Sequence, residues 1–112
     1  MTHVNTETLN SLKSIMADDF SLLIDTYLKD SHRRIQDLSE LIGSEDNELL
    51  RRIVHSFKGS SLNLGAEQLA SICNDIELRA TNGLANNLDA DLTSIKTEFL
   101  AVENQLKSMI LN

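Results

Sequence analysis

The sequence predicts an all-α protein, an antiparallel up-down four-helix bundle with a short additional helix at its N-terminal end. Three observations carry this. Apolar residues recur at spacings of three and four through almost the whole chain, the period of a helix with one buried face. Aromatic residues make up only 4% of the chain and tryptophan is absent, leaving a core of Leu, Ile, Val and Ala that suits helices better than a sandwich or barrel. Proline, the strongest helix breaker, does not occur. No alternating β-branched run and no hairpin dipeptide between such runs argues for a strand.

The elements follow from the spacing. A short first helix is expected from Thr6 to Met16, with Leu9, Leu12 and Ile15 on one side. A long second helix is expected from Asp18 to Ile42, on a stripe running from Phe20 through Ile24, Leu28 and Ile35 to Leu41. A third covers Glu45 to Leu64, with Ser44 as its N-cap and Glu45, Asp46 and Glu48 at the positive end of its dipole. A fourth covers Ala66 to Thr81, with Leu69, Ile72, Cys73 and Ile76 inward. The last covers Leu88 to Ile110, with Leu92, Ile95, Phe99, Val102 and Leu106 inward. Gly43, Gly65 and Gly83 fall between these segments, where residues just past a helix C-terminus are often glycine. The short loops make neighbouring helices antiparallel. With 112 residues and no linker or repeat, residues 1–112 are expected to form one domain.

Composition narrows the function classes. The formal charge is −7, a balance that repels nucleic-acid phosphates and anionic lipid, so neither is an expected partner. No stretch approaches about 18 apolar residues, so no spanning helix is expected. Met1-Thr2-His3-Val4-Asn5 carries no charged region followed by an apolar run, so no signal peptide is expected and a cytoplasmic location is the default. Cys73 is the only cysteine, which excludes an internal disulfide and a CxxC motif. The three histidines are scattered without metal-ligand spacing, so no metal site is expected in this chain.

One segment breaks the pattern. In His55-Ser56-Phe57-Lys58-Gly59-Ser60-Ser61 a histidine sits mid-helix, with lysine at +3 and glycine at +4. A helix turns about 100° per residue. Ile53, Phe57, Leu50, Ser61 and Leu64 then lie opposite His55, while Glu48, Arg51, Lys58, Gly59 and Leu62 lie within roughly 60° of it. His55 is therefore expected to face solvent. Gly59 costs about 1 kcal/mol against alanine in a helix interior. Because it points away from the core, clearance for a partner approaching the imidazole explains it better than tight helix packing does. Arg51, Arg52 and Lys58 form a basic island in an acidic chain. Arg51 and Lys58 would disfavour the imidazolium and hold the nucleophilic neutral ring, and would stabilise a phosphoryl group once attached. An accessible nucleophile among cations fits phosphoryl transfer.

The run from His55 through Lys58-Gly59-Ser60-Ser61 to Leu64-Gly65-Ala66, continuing to Leu69, Cys73, Ile76 and Glu77, closely resembles the histidine-containing phosphotransfer (HPt) domains of multistep phosphorelays. The resemblance implies a phosphorelay intermediate, of the stand-alone type. His55 would accept a phosphoryl group from the aspartyl phosphate of a receiver domain on a hybrid sensor kinase and pass it to a response-regulator aspartate. Lys58 would help hold the phosphoryl group and Gly59 would provide clearance. It implies a phosphoryl carrier and not an ATP-dependent kinase, in agreement with the absence of GxxxxGK[ST]. No cofactor is implied in this chain; a divalent metal is expected on the partner receiver. Glu77 occupies a position where some members carry Gln near the histidine. That departure leaves a hydrogen bond to the imidazole open, since a carboxylate would also oppose an added phosphate.

Arg51, Arg52, Leu62 and Glu77 are candidates for partner contact, the alternative for the first three being ordinary solvated surface. Ser60 and Ser61 are expected to pack against the next helix, Cys73 to be a small buried hydrophobe, and His3 and His32 to be ordinary surface residues. The bundle consumes its own apolar stripes, so a monomer is expected. The competing reading is a helical docking module that binds a receiver or kinase without accepting phosphate, which an intact His55 and Lys58 argue against.

Overall fold

A computed structural model describes residues 2–84 and 86–111; Met1, Ala85 and Asn112 lie outside them. Among the described residues five α-helices occur: α1 (Thr6–Met16), α2 (Phe20–Glu40), α3 (Asn47–Asn63), α4 (Glu67–Thr81) and α5 (Leu88–Leu111), with a 3-10 turn at Ala17–Asp19 between the first two. The last four form the bundle, each helix flanked by two others in the cyclic order α2, α3, α4, α5. The molecule is elongated, 43 × 22 × 20 Å.

Contacts at the two ends establish the up-down course. At one end the α3–α4 turn meets the N-terminal arm, where the Asn5 N–H donates to the Gly65 carbonyl at 2.9 Å. The same arm meets the C-terminal half of α5, since the Gln105 side chain bonds the backbone of both His3 and Val4. Lys13 donates to the Met109 carbonyl. At the opposite end the α2–α3 turn and the start of α5 line one shared pocket, from Leu41 and Gly43 to Asn87 and Leu88. α1 thus closes the end of the bundle that holds the C-terminus of α3. Gly65 makes that closure possible: its φ is +79°, and a Cβ there would lie 2.9 Å from Asn5 Cβ and 3.2 Å from Thr8 Cβ.

The core is aliphatic, with buried aromatic rings from three of the bundle helices. Tyr27, Phe57 and Phe99 come from α2, α3 and α5, with the Phe99 centroid 6.3 Å from Tyr27 and 6.2 Å from Phe57. Such tilted and edge-on pairs add about 0.5–1.5 kcal/mol each beyond the area they bury. The Tyr27 hydroxyl lies 2.9 Å from Ser61 Oγ, so the small residue expected at this helix contact also satisfies a buried phenol.

The sequence-based expectations need three corrections. Helix α3 starts at Asn47, and its N-cap is Asp46, whose carboxylate accepts from the Leu49 N–H at 3.0 Å. Ser44 is absorbed into the preceding turn: its N–H donates to Leu41 and its hydroxyl accepts from the Asp46 N–H. Second, Ile15 is 81% exposed, and Met16 packs inward instead. The chain turns sharply after α1, with Ala17 at φ +48°, and Ile15 is left on the outer side of that helix's last turn. Third, the start expected at Asp18 is a 3-10 turn, and regular α2 runs only from Phe20 to Glu40.

Candidate functional site

His55 lies at the middle of α3, between two buried residues that anchor the helix. Val54 and Phe57 are fully buried, and the rotation then carries the imidazole outward, 60% exposed. The ring stands over the groove between α3 and α4. From α4, Glu77 reaches both candidate side chains of α3: Oε2 lies 2.7 Å from His55 Nδ1, and Oε1 accepts from Lys58 Nζ at 2.6 Å. Lys58 also donates to Asn74 Oδ1 at 3.3 Å. The bond to imidazole left open by the sequence is therefore present, and Glu77 is its acceptor.

This bond selects a ring nitrogen. A carboxylate accepts only, so Nδ1 carries the hydrogen and the lone pair of the neutral ring resides on Nε2. Nε2 has no hydrogen-bond partner among the described residues. Its surroundings are open: a Cβ added at Gly59, one turn along the same face, would meet nothing within 4 Å. The glycine does not serve tight helix packing, and the space beside the imidazole is free.

The electrostatics differ from the expected pair of free cations. Glu77 is held ionised below the usual carboxylate range, first by the Lys58 hydrogen bond and further by that of His55, against the opposing effect of burial. Lys58 is thus neutralised by a carboxylate in this state. Arg51 is likewise engaged, its guanidinium gripping Glu48 at 2.7 and 3.1 Å. Arg52 Nε is 3.9 Å from the same carboxylate and its side chain is 65% exposed. The basic island is consequently only partly compensated, two carboxylates, Glu48 and Glu77, pairing with its three cations.

Leu62 is exposed two turns beyond His55, and lines a shallow depression with Lys58, Glu67, Ala70, Ser71 and Asn74. Ser60 donates to the Phe57 carbonyl and takes a long 3.4 Å contact from Arg34, so it serves the helix and its α2 neighbour. Cys73 is buried, and burial pushes its thiol up to about 12, which makes it inert at neutral pH. Asn74 is the site residue that the sequence reading missed. Its signal was its position: Cys73 and Ile76 point to the core, so Asn74 and Glu77, three apart, rotate together toward α3.

The other two histidines are also paired with carboxylates of α5, His3 Nδ1 with Glu98 and His32 Nε2 with Glu103, each at 2.8 Å. Among the described residues no group of three or more His, Cys, Asp or Glu is arranged to hold a metal ion, and no helix is long and apolar enough to cross a membrane.

Comparison with known proteins agrees with this arrangement. The Hpt domain family model matches residues 22–110. Phosphorelay protein LuxU from Vibrio harveyi is 32% identical over 83 residues, which span 69% of this chain and 73% of LuxU. The crystal structure of histidine-containing phosphotransfer protein B (HptB) from Pseudomonas aeruginosa PAO1 superposes with a TM-score of 0.91 at 34% identity, covering 96% of this chain and 93% of HptB. The maize histidine-containing phosphotransfer protein ZmHP2 shares the fold, with a TM-score of 0.85 at 20% identity over 97% of this chain and 88% of its own. The chain belongs to the Hpt domain family, whose members are histidine phosphotransfer intermediates of phosphorelays.

Proposed function

We propose that His55 is the phosphoryl carrier of this chain and that it reacts through Nε2. The observation that carries the reading is the ring itself: mid-helix, 60% exposed, with Nδ1 committed to Glu77 and Nε2 facing open space beside Gly59. In the accepting direction the Nε2 lone pair attacks the phosphorus of a receiver aspartyl phosphate. The P–O bond breaks, and the aspartate leaves with the electron pair. In the donating direction a second receiver's aspartate takes the group back from Nε2. The rigid scaffold under Val54 and Phe57 fixes the ring so that the partner meets an oriented nucleophile.

Lys58 is the cation that shares Glu77 with the ring. Its Nζ is placed by Glu77 and Asn74 beside the ring, where a short swing of a flexible side chain brings it to an incoming phosphoryl oxygen. Gly59 admits the partner. Arg51, Arg52 and Leu62 form the surrounding contact surface, with exposed Leu78 of α4 on the other side of Glu77. The partners are receiver domains, on our reading those of a hybrid histidine kinase and of a response regulator. The divalent metal that supports transfer resides on the receiver, and this chain acts as a monomer in the cytoplasm.

The test is phosphotransfer from phosphorylated receivers. Wild-type chain should acquire an acid-labile, base-stable phosphate, and His55→Gln should acquire none. Label that persists in His55→Gln, or partner binding with full pathway output in His55→Ala, would replace the carrier by another acceptor or by a docking module.

A further inference from the structure

Glu77 can only accept hydrogen bonds, and this has a consequence once the ring is phosphorylated. Before transfer Nδ1–H donates to Glu77 Oε2. When Nε2 forms its bond to phosphorus, the proton on Nδ1 remains and the ring becomes a phosphoimidazolium. In solution that ring can release the Nδ1 proton. Here release would leave an Nδ1 lone pair facing a carboxylate oxygen at 2.7 Å, an acceptor against an acceptor with no hydrogen between them. The carboxylate is only 15% exposed, and its helix packs against α3, which limits its freedom to turn away even when Lys58 moves to the phosphoryl group.

Taking His55 as the acceptor, we propose that Glu77 sets the transfer potential of this carrier by keeping Nδ1 protonated throughout the phosphorylated state. The protonation matters for the leaving group. With Nδ1–H in place, cleavage of the N–P bond returns its electron pair to Nε2 and releases neutral imidazole. The receiver aspartate contributes the new O–P bond, and the total charge is conserved. Without that proton the departing group would be an imidazolate anion, a far poorer leaving group. A carboxylate at position 77 therefore favours rapid hand-over and a short-lived phosphohistidine. A glutamine in its place could turn its amide to donate to Nδ1 and so stabilise the deprotonated, long-lived form.

The groups facing the ring are few: Glu77 and Asn74 from α4, and Lys58 and Arg51 with its partner Glu48 from α3. Only Glu77 contacts Nδ1 among the described residues.

Glu77→Gln provides the test, with Glu77→Ala as a second variant that also removes the acceptor. Each chain is phosphorylated chemically with phosphoramidate. The His55 phosphoryl signal is then followed by 31P NMR at neutral pH, resolved from those of His3 and His32. We expect the phosphohistidine half-life to lengthen roughly tenfold in Glu77→Gln, the scale of one partly sheltered acceptor–acceptor conflict relieved. Return of phosphate to a receiver should slow in parallel. A residue with a merely structural role would act the other way, since loosening the site speeds hydrolysis. Half-lives within twofold of wild type in both variants, or shorter ones, overturn the inference and leave His55 as carrier. A wild-type His55 that takes no phosphate from any receiver overturns instead the assignment on which it rests.

Discussion

Two faces of this bundle carry nearly the same three residues, and the proposed function assigns them different roles. On the α3–α4 face, His55 shares Glu77 with Lys58. On the α2–α5 face, His32 shares Glu103 with Lys107, at 2.8 and 3.6 Å. The histidines are almost equally exposed, 60% and 59%, and their carboxylates almost equally sheltered, 15% and 13%. Exposure and a carboxylate partner therefore do not define a phosphoryl carrier. The differences lie in the ring nitrogen and the clearance. Glu103 holds Nε2 of His32, leaving the more crowded Nδ1, next to the backbone. The position one turn on is Gln36, where His55 has Gly59. The lysine follows the carboxylate on α5, so it does not ride on the histidine's own helix. His32 also rests edge-on against Phe99, with ring centroids 5.1 Å apart at 89°, the geometry of a structural clasp between α2 and α5.

The comparison can be broken by substitution, and the largest effect should be all-or-none. His55→Gln should lose receiver-derived phosphate entirely while His32→Gln retains it in full, as measured by radiolabel on the isolated chain. Label lost from both would mean that the α2–α5 face takes part in transfer. Next in size, Phe99→Ala should cost about 3–5 kcal/mol in denaturant unfolding, because the worth of the His32 face lies in the ring beneath it. Gly59→Ala should stabilise α3 by up to about 1 kcal/mol, because the added methyl meets nothing. It should nevertheless slow transfer, and Gly59→Leu should slow it further. A faster or unchanged Gly59→Leu would remove clearance from the account.

Smaller still, Glu103→Gln should change stability by less than about 1 kcal/mol, because both of its partners, His32 and Lys107, are largely exposed. The smallest effect concerns acid pH. Glu77 is depressed in the folded state, chiefly by Lys58, so its contribution to stability is present above the ordinary carboxylate range and is lost as the pH falls through its lowered folded value. The stability gap between wild type and Glu77→Gln should therefore close on acidification. A gap that widens would contradict the assigned ion pair.

The contrast also shows what a sequence can and cannot reveal. The helical repeat of Leu, Ile and Val placed all five helices, because burial of one face dictates that period. The same rotation put Phe57 inside and His55 outside, as observed. Boundaries were less legible where several residues could satisfy the same backbone group. Ser44 and Asp46 are both good caps, and the turn after Gly43 decided between them. Ile15 has the right spacing to be buried, yet nothing local says that the chain bends at Ala17 and leaves it exposed. Within the site, residues on one helix were readable and contacts between helices were not. His55, Lys58 and Gly59 announce themselves by +3 and +4 spacing, whereas the reach of Glu77 and Asn74 to them depends on the register of α4 against α3. For that reason the expected pair of uncompensated cations became a set of ion pairs, Arg51 with Glu48 and Lys58 with Glu77.

The most direct measurement is to find which atom holds the phosphorus. Chain phosphorylated by a receiver and labelled with 15N should show, by 31P–15N correlation, phosphorus on Nε2 of His55 and on no other nitrogen. Phosphorus on Nδ1 of His55 would contradict the role assigned to Glu77, and phosphorus on His32 would contradict the site itself.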